Sequence, residues 1–187
     1  MREAPVIVVP YDPGWPASFE SLRTVLAAAL GEIARAIHHV GSTAVPGLPA
    51  KPILDVDVEI TSQRDLPETV HRLGLLGYRA AGDLGIAGRE AHDRSGPDVP
   101  RDGSGRSWPE HHLYVCASDA TELRRHLLLR DFLRANPARA DEYAALKRTL
   151  AVRYREDREA YAEGKSELIA SMLADAVRGS RTGERLR

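Results

Sequence analysis

Apolar and acidic side chains alternate without a break from Ile53 to Ile60. Leu54, Val56, Val58 and Ile60 fall on one side, and Ile53, Asp55, Asp57 and Glu59 on the other. Period two predicts a strand with one greasy face and one acidic face. Upstream the period is helical. Phe19, Leu22, Val25, Leu26, Leu30 and Ile33 recur at three- and four-residue intervals, predicting a helix from about Ala17 to Ala36 with Pro16 in its first turn. Val6–Val9, bounded by Pro5 and Pro10, reads as an edge strand or an extended arm. Ile37–Val40 leads the chain into an extended pattern, and Thr43–Pro52 carries three prolines and a glycine, so restricted φ angles hold it in place of regular hydrogen bonding.

Beyond the acidic strand, Leu66–Leu76 predicts a helix ending at Gly77, followed by a short strand at Tyr78–Ala80. Gly82–Pro109 is rich in Gly, Asp, Arg, Ser and Pro, which predicts a long loop, either partly disordered or a functional lid. His111–Ala117 returns to strand character. The remainder predicts one helix from Asp119 to Asn136 and a longer one from Pro137 to about Val177. At 187 residues the chain fits one domain over 1–178, with a sheet core over about 5–118 and a helical layer over about 119–177; the charged tail 179–187 is expected to be disordered.

Composition narrows the function. Hydrophobic residues at 43% and charged residues at 28% give an ordinary globular balance. A formal net charge of -1 supplies no global positive field, so a small or nucleotide-like substrate is expected and no nucleic-acid partner. The single cysteine, Cys116, excludes an intramolecular disulfide and a cysteine zinc site, and suits a cytoplasmic protein. No stretch approaches the roughly 18 apolar residues of a membrane span.

The chemistry concentrates between His39 and Val58. Asp55 and Asp57 project from one strand face with their roots about 6–7 Å apart. Two unshielded carboxylates repel, and a shared hard cation, magnesium or manganese in its place, relieves them. Gly41 lets the backbone approach a phosphate, and Ser42 adds a hydroxyl. Taken singly, an acidic alternation is more often a solvated face and Gly-Ser a common turn; the combination, with a restricted loop between, favours a site. Lys51 reads either as a phosphate contact or as a surface lysine beside a proline. Lys147 and Lys165 each follow a tyrosine by four residues, as Tyr–Lys packing pairs or as phosphate contacts opposite the aspartates. Arg130 and Arg134 with Asp131 form a salt-bridge network or an anion site, and Arg89 is a substrate contact or a loop anchor. His39 packs at a strand end or turns toward the pocket, while His38 and His111 are expected to face away. Neither a P-loop nor a dinucleotide fingerprint occurs.

The run His39-Val-Gly-Ser-Thr-Ala-Val-Pro-Gly-Leu-Pro-Ala-Lys-Pro-Ile-Leu-Asp-Val-Asp-Val58 resembles the signature of the GrpB family. His112-Leu-Tyr-Val-Cys116, Leu129-Arg-Asp-Phe-Leu-Arg134 and the pairs Tyr143/Lys147 and Tyr161/Lys165 are similar to its other segments, so the resemblance spans about Val6 to Ala176. That family resembles the nucleotidyltransferase superfamily, whose Gly-Ser, spacer, Asp-x-Asp pattern is matched by Gly41, Ser42, Asp55 and Asp57. The resemblance implies an α/β (α+β) fold: a nucleotidyltransferase-like mixed β-sheet with helices packed on one side and a C-terminal helical layer closing over the site. It implies a magnesium-dependent nucleotidyltransferase moving a nucleotide from a nucleoside triphosphate to a small-molecule acceptor. In that reading Asp55, Asp57 and His112 are catalytic, Asp55 and Asp57 hold the metal, and Gly41, Ser42, Thr43, Lys51, Arg89, Arg130, Lys147 and Lys165 contact phosphate. One departure stands out: a third carboxylate is expected on a later strand, and His111–Cys116 contains none. Glu110 precedes that strand, and Glu90 and Asp93 lie in the preceding loop. Either His112 takes the place of the base, or the chain is a non-catalytic nucleotide-binding or regulatory module.

Overall fold

The computed structural model describes residues 5–184. Their order is α1 (Trp15–Leu30), β1 (Ala34–Val40), β2 (Leu54–Ile60), α2 (Leu66–Leu75), β3 (Tyr78–Gly82), β4 (Arg89–Arg94), β5 (His111–Ala117), α3 (Thr121–Ala135), α4 (Pro137–Arg153), α5 (Arg158–Glu163) and α6 (Ser166–Glu184). The alternating segment becomes β2, the second strand of a sheet ordered β1-β2-β5-β4-β3. Only β2 and β5 run parallel; the other neighbours are antiparallel, so the sheet is mixed as expected. The greasy face of β2, with Leu113 and Val115 of β5, packs under Phe19, Leu22, Leu26 and Leu30 of α1 and Leu73 of α2. The acidic face lies under α3, whose Leu123 clusters with Cys116. Beyond it Leu133, Tyr143 and Met172 of the C-terminal helices bury Val45 and Leu48 of the proline loop. Helices therefore cover both faces of the sheet, and the C-terminal layer is the one above the carboxylates.

Several boundaries depart from the periodic reading. The first helix stops at Leu30 instead of Ala36, because Gly31 leaves helical geometry with φ 57°. Ala34 and Ala36 then pair with Ile60 and Glu59, so their backbone groups are satisfied by a strand partner. The arm Val6–Val9 is extended and joins no sheet; Val6 N–H donates to the Arg155 carbonyl at 2.7 Å, and Val9 bridges Ala50. The predicted helix from Pro137 to Val177 is three. Asp157 caps α5 by accepting from Ala160 N–H at 2.9 Å, and Gly164 ends it where a Cβ would stand 2.7 Å from Leu150 Cδ2. Past residue 178, α6 continues to Glu184, and 185–187 of the expected disordered tail lie outside the described residues.

The expected loop Gly82–Pro109 contains a whole strand, β4, hydrogen-bonded between β3 and β5. Arg-Glu-Ala-His-Asp-Arg has little intrinsic strand preference, and its neighbours impose the conformation. The following segment is anchored as well. Val99 is 0% and Trp108 6% exposed, and the Trp108 indole N–H donates to the Pro100 carbonyl at 2.8 Å. Trp108→Ala is accordingly expected to lower the unfolding free energy by about 3–5 kcal/mol in urea denaturation, whereas a detached lid would lose almost nothing.

Candidate active site

Where β1 ends, Gly41 turns the chain with φ 67°, and Asp55 of the neighbouring strand lies directly over it. A Cβ at Gly41 would stand 2.1 Å from Asp55 Oδ2, so the close approach requires glycine. The turn continues through Ser42–Ala44 as a short 3-10 helix. Thr43 is buried and hydrogen-bonds His39 Nε2 at 3.0 Å, while the His39 ring stacks on Phe19 of α1 at 4.7 Å. Burial holds His39 down to about 4 even against the charge of Asp55, so it is a neutral packing residue. Its neighbour His38, expected to face away, points instead to the acidic side and meets Glu59 at 2.8 Å.

The carboxylates of β2 are unequal. The Asp55 side chain is 34% exposed, whereas Asp57 is 0% exposed. His112, opposite Asp55 in the parallel register, places Nδ1 2.9 Å from Asp55 Oδ1. His126 of α3 donates from Nδ1 to Asp57 Oδ2 at 2.7 Å and has Nε2 3.2 Å from Glu122. Burial works against a charged His126, but the hydrogen bond to Asp57 and the charges of Asp57, Glu122 and Asp55 outweigh it and raise its pKa. Asp57 Oδ1 has no hydrogen-bond partner among the described residues. The sequence reading missed His126; its only local signal is Glu122 four residues earlier on the same helix face.

Three lysines face Asp55 from the helical layer and the proline loop. Lys147, 2% exposed, donates to Ser42 Oγ at 3.0 Å and to the Pro49 carbonyl, with Nζ 4.7 Å from the Tyr143 ring. Lys165 and Lys51 place Nζ 4.5 and 5.8 Å from the Tyr161 ring. Burial, then the charges of Lys165 and Arg148, holds Lys147 down to about 7 although Asp55 pulls the other way. Burial and Lys51 hold Lys165 to about 8, again against Asp55, and burial lowers Lys51. The cleft they form has a volume of about 200 Å³, and Gly41, Ser42, Thr43, Lys51, Asp55, His112, Lys147 and Lys165 all line it.

Three of the expected site residues lie outside that lining. Asp57 is sealed beneath His126. Arg89 stacks on the Tyr114 ring at 4.4 Å. Arg130 donates to the His39 carbonyl at 3.2 Å and to Asp131, and Arg134 grips the Ala44 carbonyl, so both tie α3 to the Gly-Ser turn. None of the acids considered for a third carboxylate lines the cleft with Asp55: Glu90 accepts from Gly82 N–H at 2.9 Å, Glu110 pairs with Arg94 at 3.2 Å, and Asp93 is exposed. Among the described residues no three histidine, cysteine or acidic groups converge as a ready cation site, and no helix is long and apolar enough to cross a membrane.

A mixed five-stranded sheet with an acidic strand, a Gly-Ser turn and a closing helical layer defines a nucleotidyltransferase-like fold. The MgGTP-bound Cid1 poly(U) polymerase superposes on it with a TM-score of 0.51 at 14% identity, over 78% of this chain and 45% of that one, a likeness of fold alone. A crystal structure of the conserved protein GrpB from Enterococcus faecalis superposes with a TM-score of 0.79 at 32% identity, covering 93% of this chain and 99% of that one. The family described as GrpB protein matches residues 5–175, and the chain belongs to it. UPF0157 protein YqkA of Bacillus subtilis is 33% identical over 173 residues, 92% of this chain and 48% of that protein, so the chain spans about half its length. A UPF0157 protein of Pseudomonas aeruginosa is 38% identical over 174 residues, 93% of this chain and 69% of its own.

Two consequences are measurable. Gly41→Ala forces a side chain onto Asp55 at a positive φ, and is expected to cost about 2 kcal/mol or more of unfolding free energy, read by denaturation. Lys147 is depressed to about 7 in the folded chain, while an unfolded lysine titrates near ~10.4. Between those values the unfolded chain binds more protons, so stability contributed through this group rises with pH from about 7 toward ~10. Lys147→Met is expected to flatten that rise in melting curves recorded across the interval; an unchanged slope would place the titration elsewhere.

Proposed function

We propose that this chain is a magnesium-dependent nucleotidyltransferase that moves a nucleotide from a nucleoside triphosphate to a small-molecule acceptor. One observation carries the reading: the Gly41–Ser42 turn, Asp55 and the side chains of Lys51, Lys147 and Lys165 share one cleft. Three lysines facing a single exposed carboxylate leave an excess of positive charge, which suits a polyphosphate. At about 200 Å³, the space is smaller than the roughly 300–1,000 Å³ of sites that bury a whole drug-sized ligand. It takes the phosphate chain and leaves the nucleoside toward the mouth. The fold neighbour Cid1, bound to MgGTP, supports the same ligand class.

In the transfer an acceptor oxygen attacks the α-phosphorus, pyrophosphate leaves and the acceptor proton needs a base. His112 suits that role. Its Nδ1–H donates to Asp55, which leaves the lone pair of Nε2 free, and its side chain is 44% exposed. Lys147 bonds Ser42 Oγ and so fixes the turn against the leaving phosphates. Asp55, which lines the space, would offer magnesium or manganese a hard oxygen, whereas Asp57, buried beneath His126 with Oδ1 unpartnered among the described residues, would join it only if His126 gave way. When bound, the cation neutralises charge on the phosphates. A second reading, nucleotide binding without turnover, draws on the imidazole that stands on β5 where a carboxylate is expected.

Calorimetric titration with each nucleoside triphosphate is expected to show binding of at least one that requires magnesium. Asp55→Asn/Asp57→Asn should weaken it more than tenfold. Absence of binding by every triphosphate, with and without magnesium, would falsify the reading. Pyrophosphate released with a bound triphosphate and a panel of hydroxyl acceptors supports transfer over binding alone.

A further inference from the structure

We propose that the cleft recognises the triphosphate group alone, so that it binds ATP, GTP, CTP and UTP alike and takes inorganic triphosphate as a ligand in its own right. The inference rests on the transferase reading and specifies which part of the donor that site reads. Phosphate contacts hold a ligand in register, whereas discrimination between bases comes from contacts to the base itself. The cleft is furnished for the first of these. Lys51, Lys147 and Lys165 line a space of about 200 Å³ beside the Gly41–Ser42 turn, and Lys147 already spans from α4 to Ser42 Oγ at 3.0 Å. Three cationic side chains around one turn match a chain of three phosphates and make no demand on what the chain is attached to.

A base is recognised by stacking on a ring or by paired hydrogen bonds to its edge. The tyrosines of the lining are already engaged. Tyr143 and Tyr161 are both buried, with Lys147 Nζ 4.7 Å from the first ring and Lys165 Nζ 4.5 Å from the second. Tyr114, two residues along β5 from His112, carries the Arg89 guanidinium 4.4 Å from its ring. Side chains that read a base edge are scarcer still, since the sequence holds one asparagine and one glutamine. Asn136 donates to the Phe132 carbonyl at 2.8 Å, and Gln63 follows the end of β2 remote from Asp55. Arg130 and Arg134 are fixed on the His39 and Ala44 carbonyls. Backbone donors at the cleft are spent too: Ala50 N–H bonds the Val9 carbonyl at 3.0 Å, Ile53 N–H the Lys51 carbonyl at 2.8 Å and Leu54 N–H the Glu110 carbonyl at 2.9 Å. His112 is the remaining ring of the lining and is partly exposed. A base laid against it gains much the same whichever base it is, because every base has a π-face.

The test is calorimetric titration of the full chain with ATP, GTP, CTP, UTP and inorganic triphosphate, each with magnesium. All five dissociation constants are expected to fall within about tenfold of one another, the margin that a base-reading pair of hydrogen bonds would exceed. Lys165→Met is expected to weaken all five by one common factor of about tenfold or more, as the loss of a phosphate contact does. Lys51→Met takes its place if circular dichroism shows that the first variant does not fold. One nucleoside triphosphate bound tighter than the rest by more than that margin overturns the inference and leaves the transferase reading standing. So does inorganic triphosphate bound weaker than all four nucleotides by more than that margin. A folded lysine variant that weakens the nucleotides and spares inorganic triphosphate also overturns it. Inorganic triphosphate bound where no nucleotide binds overturns the transferase reading and leaves a triphosphate cleft. Binding of none of the five overturns both.

Discussion

Everything above β2 is arranged around the burial of negative charge. A carboxylate taken out of water costs several kcal/mol unless it is paired or hydrogen-bonded, and Asp57 is fully buried. The answer here is one imidazole per acid along the strand: His112 for Asp55, His126 for Asp57 and His38 for Glu59. Each comes from a different element, β5, α3 and β1, so the acidic face ties the neighbouring strands and the first helix of the closing layer to one line of charge. The acidic face is one of several anchors of α3, beside Leu123 on Cys116, Leu133 on Val45 and Leu48, and the bonds of Arg130 and Arg134 to the Gly-Ser turn. The greasy face of the same strand needs no such device, since Leu54, Val56, Val58 and Ile60 simply pack under α1 and α2.

The same constraint explains which parts of the molecule could be read along the chain. The stripe of α1 and the alternation of β2 are local periodicities that burial on one face enforces, and both are where the pattern places them. β4 is not legible because Arg-Glu-Ala-His-Asp-Arg carries no alternating apolar set; its strand conformation comes from β3 and β5 on either side. The break between α4 and α5 depends on a cap at Asp157 and on Leu150 packing across Gly164, which a periodic pattern does not encode. Parity misled the reading of His38 and His39: a one-residue difference along β1 exchanges the two sheet faces, and the acidic face belongs to His38.

The site divides in the same way. Gly41, Ser42, Asp55, Lys51 and His112 lie on segments whose own pattern announces a turn, a strand or a family signature, and all of them reach the cleft. Lys147 and Lys165 were visible as Tyr–Lys pairs, but their convergence on Ser42 and Tyr161 depends on how α4 and α5 close over the sheet. Asp57 was visible as a carboxylate and invisible as a buried one, because its cover, His126, lies on another element whose position no local signal states. Arg130 and Arg134 were legible as a cluster, yet their partners are the backbone carbonyls of His39 and Ala44, and a carbonyl leaves no trace in composition.

Charge balance then separates the deep part of the site from its mouth. Around Asp57 the charges balance: His126 stands between Asp57 and Glu122, and Arg125 pairs with Glu122 at 3.1 Å, which leaves Asp57 Oδ1 open. Around Asp55 they do not, because three lysines face one carboxylate, and burial first, then neighbouring cations, lowers the affinity of Lys147 and Lys165 for protons. A folded protein keeps such an imbalance only where rigid neighbours hold it, and here the turn at Gly41, the Ser42–Lys147 bond and the packing of Tyr143 and Tyr161 do so. Like charges held together without their counter-ion are preorganised for an anion that carries several charges of its own. A monoanion would leave most of the repulsion in place; a polyphosphate relieves all three lysines at once. That difference argues for the phosphate chain, more than any single contact, as the group the cleft selects.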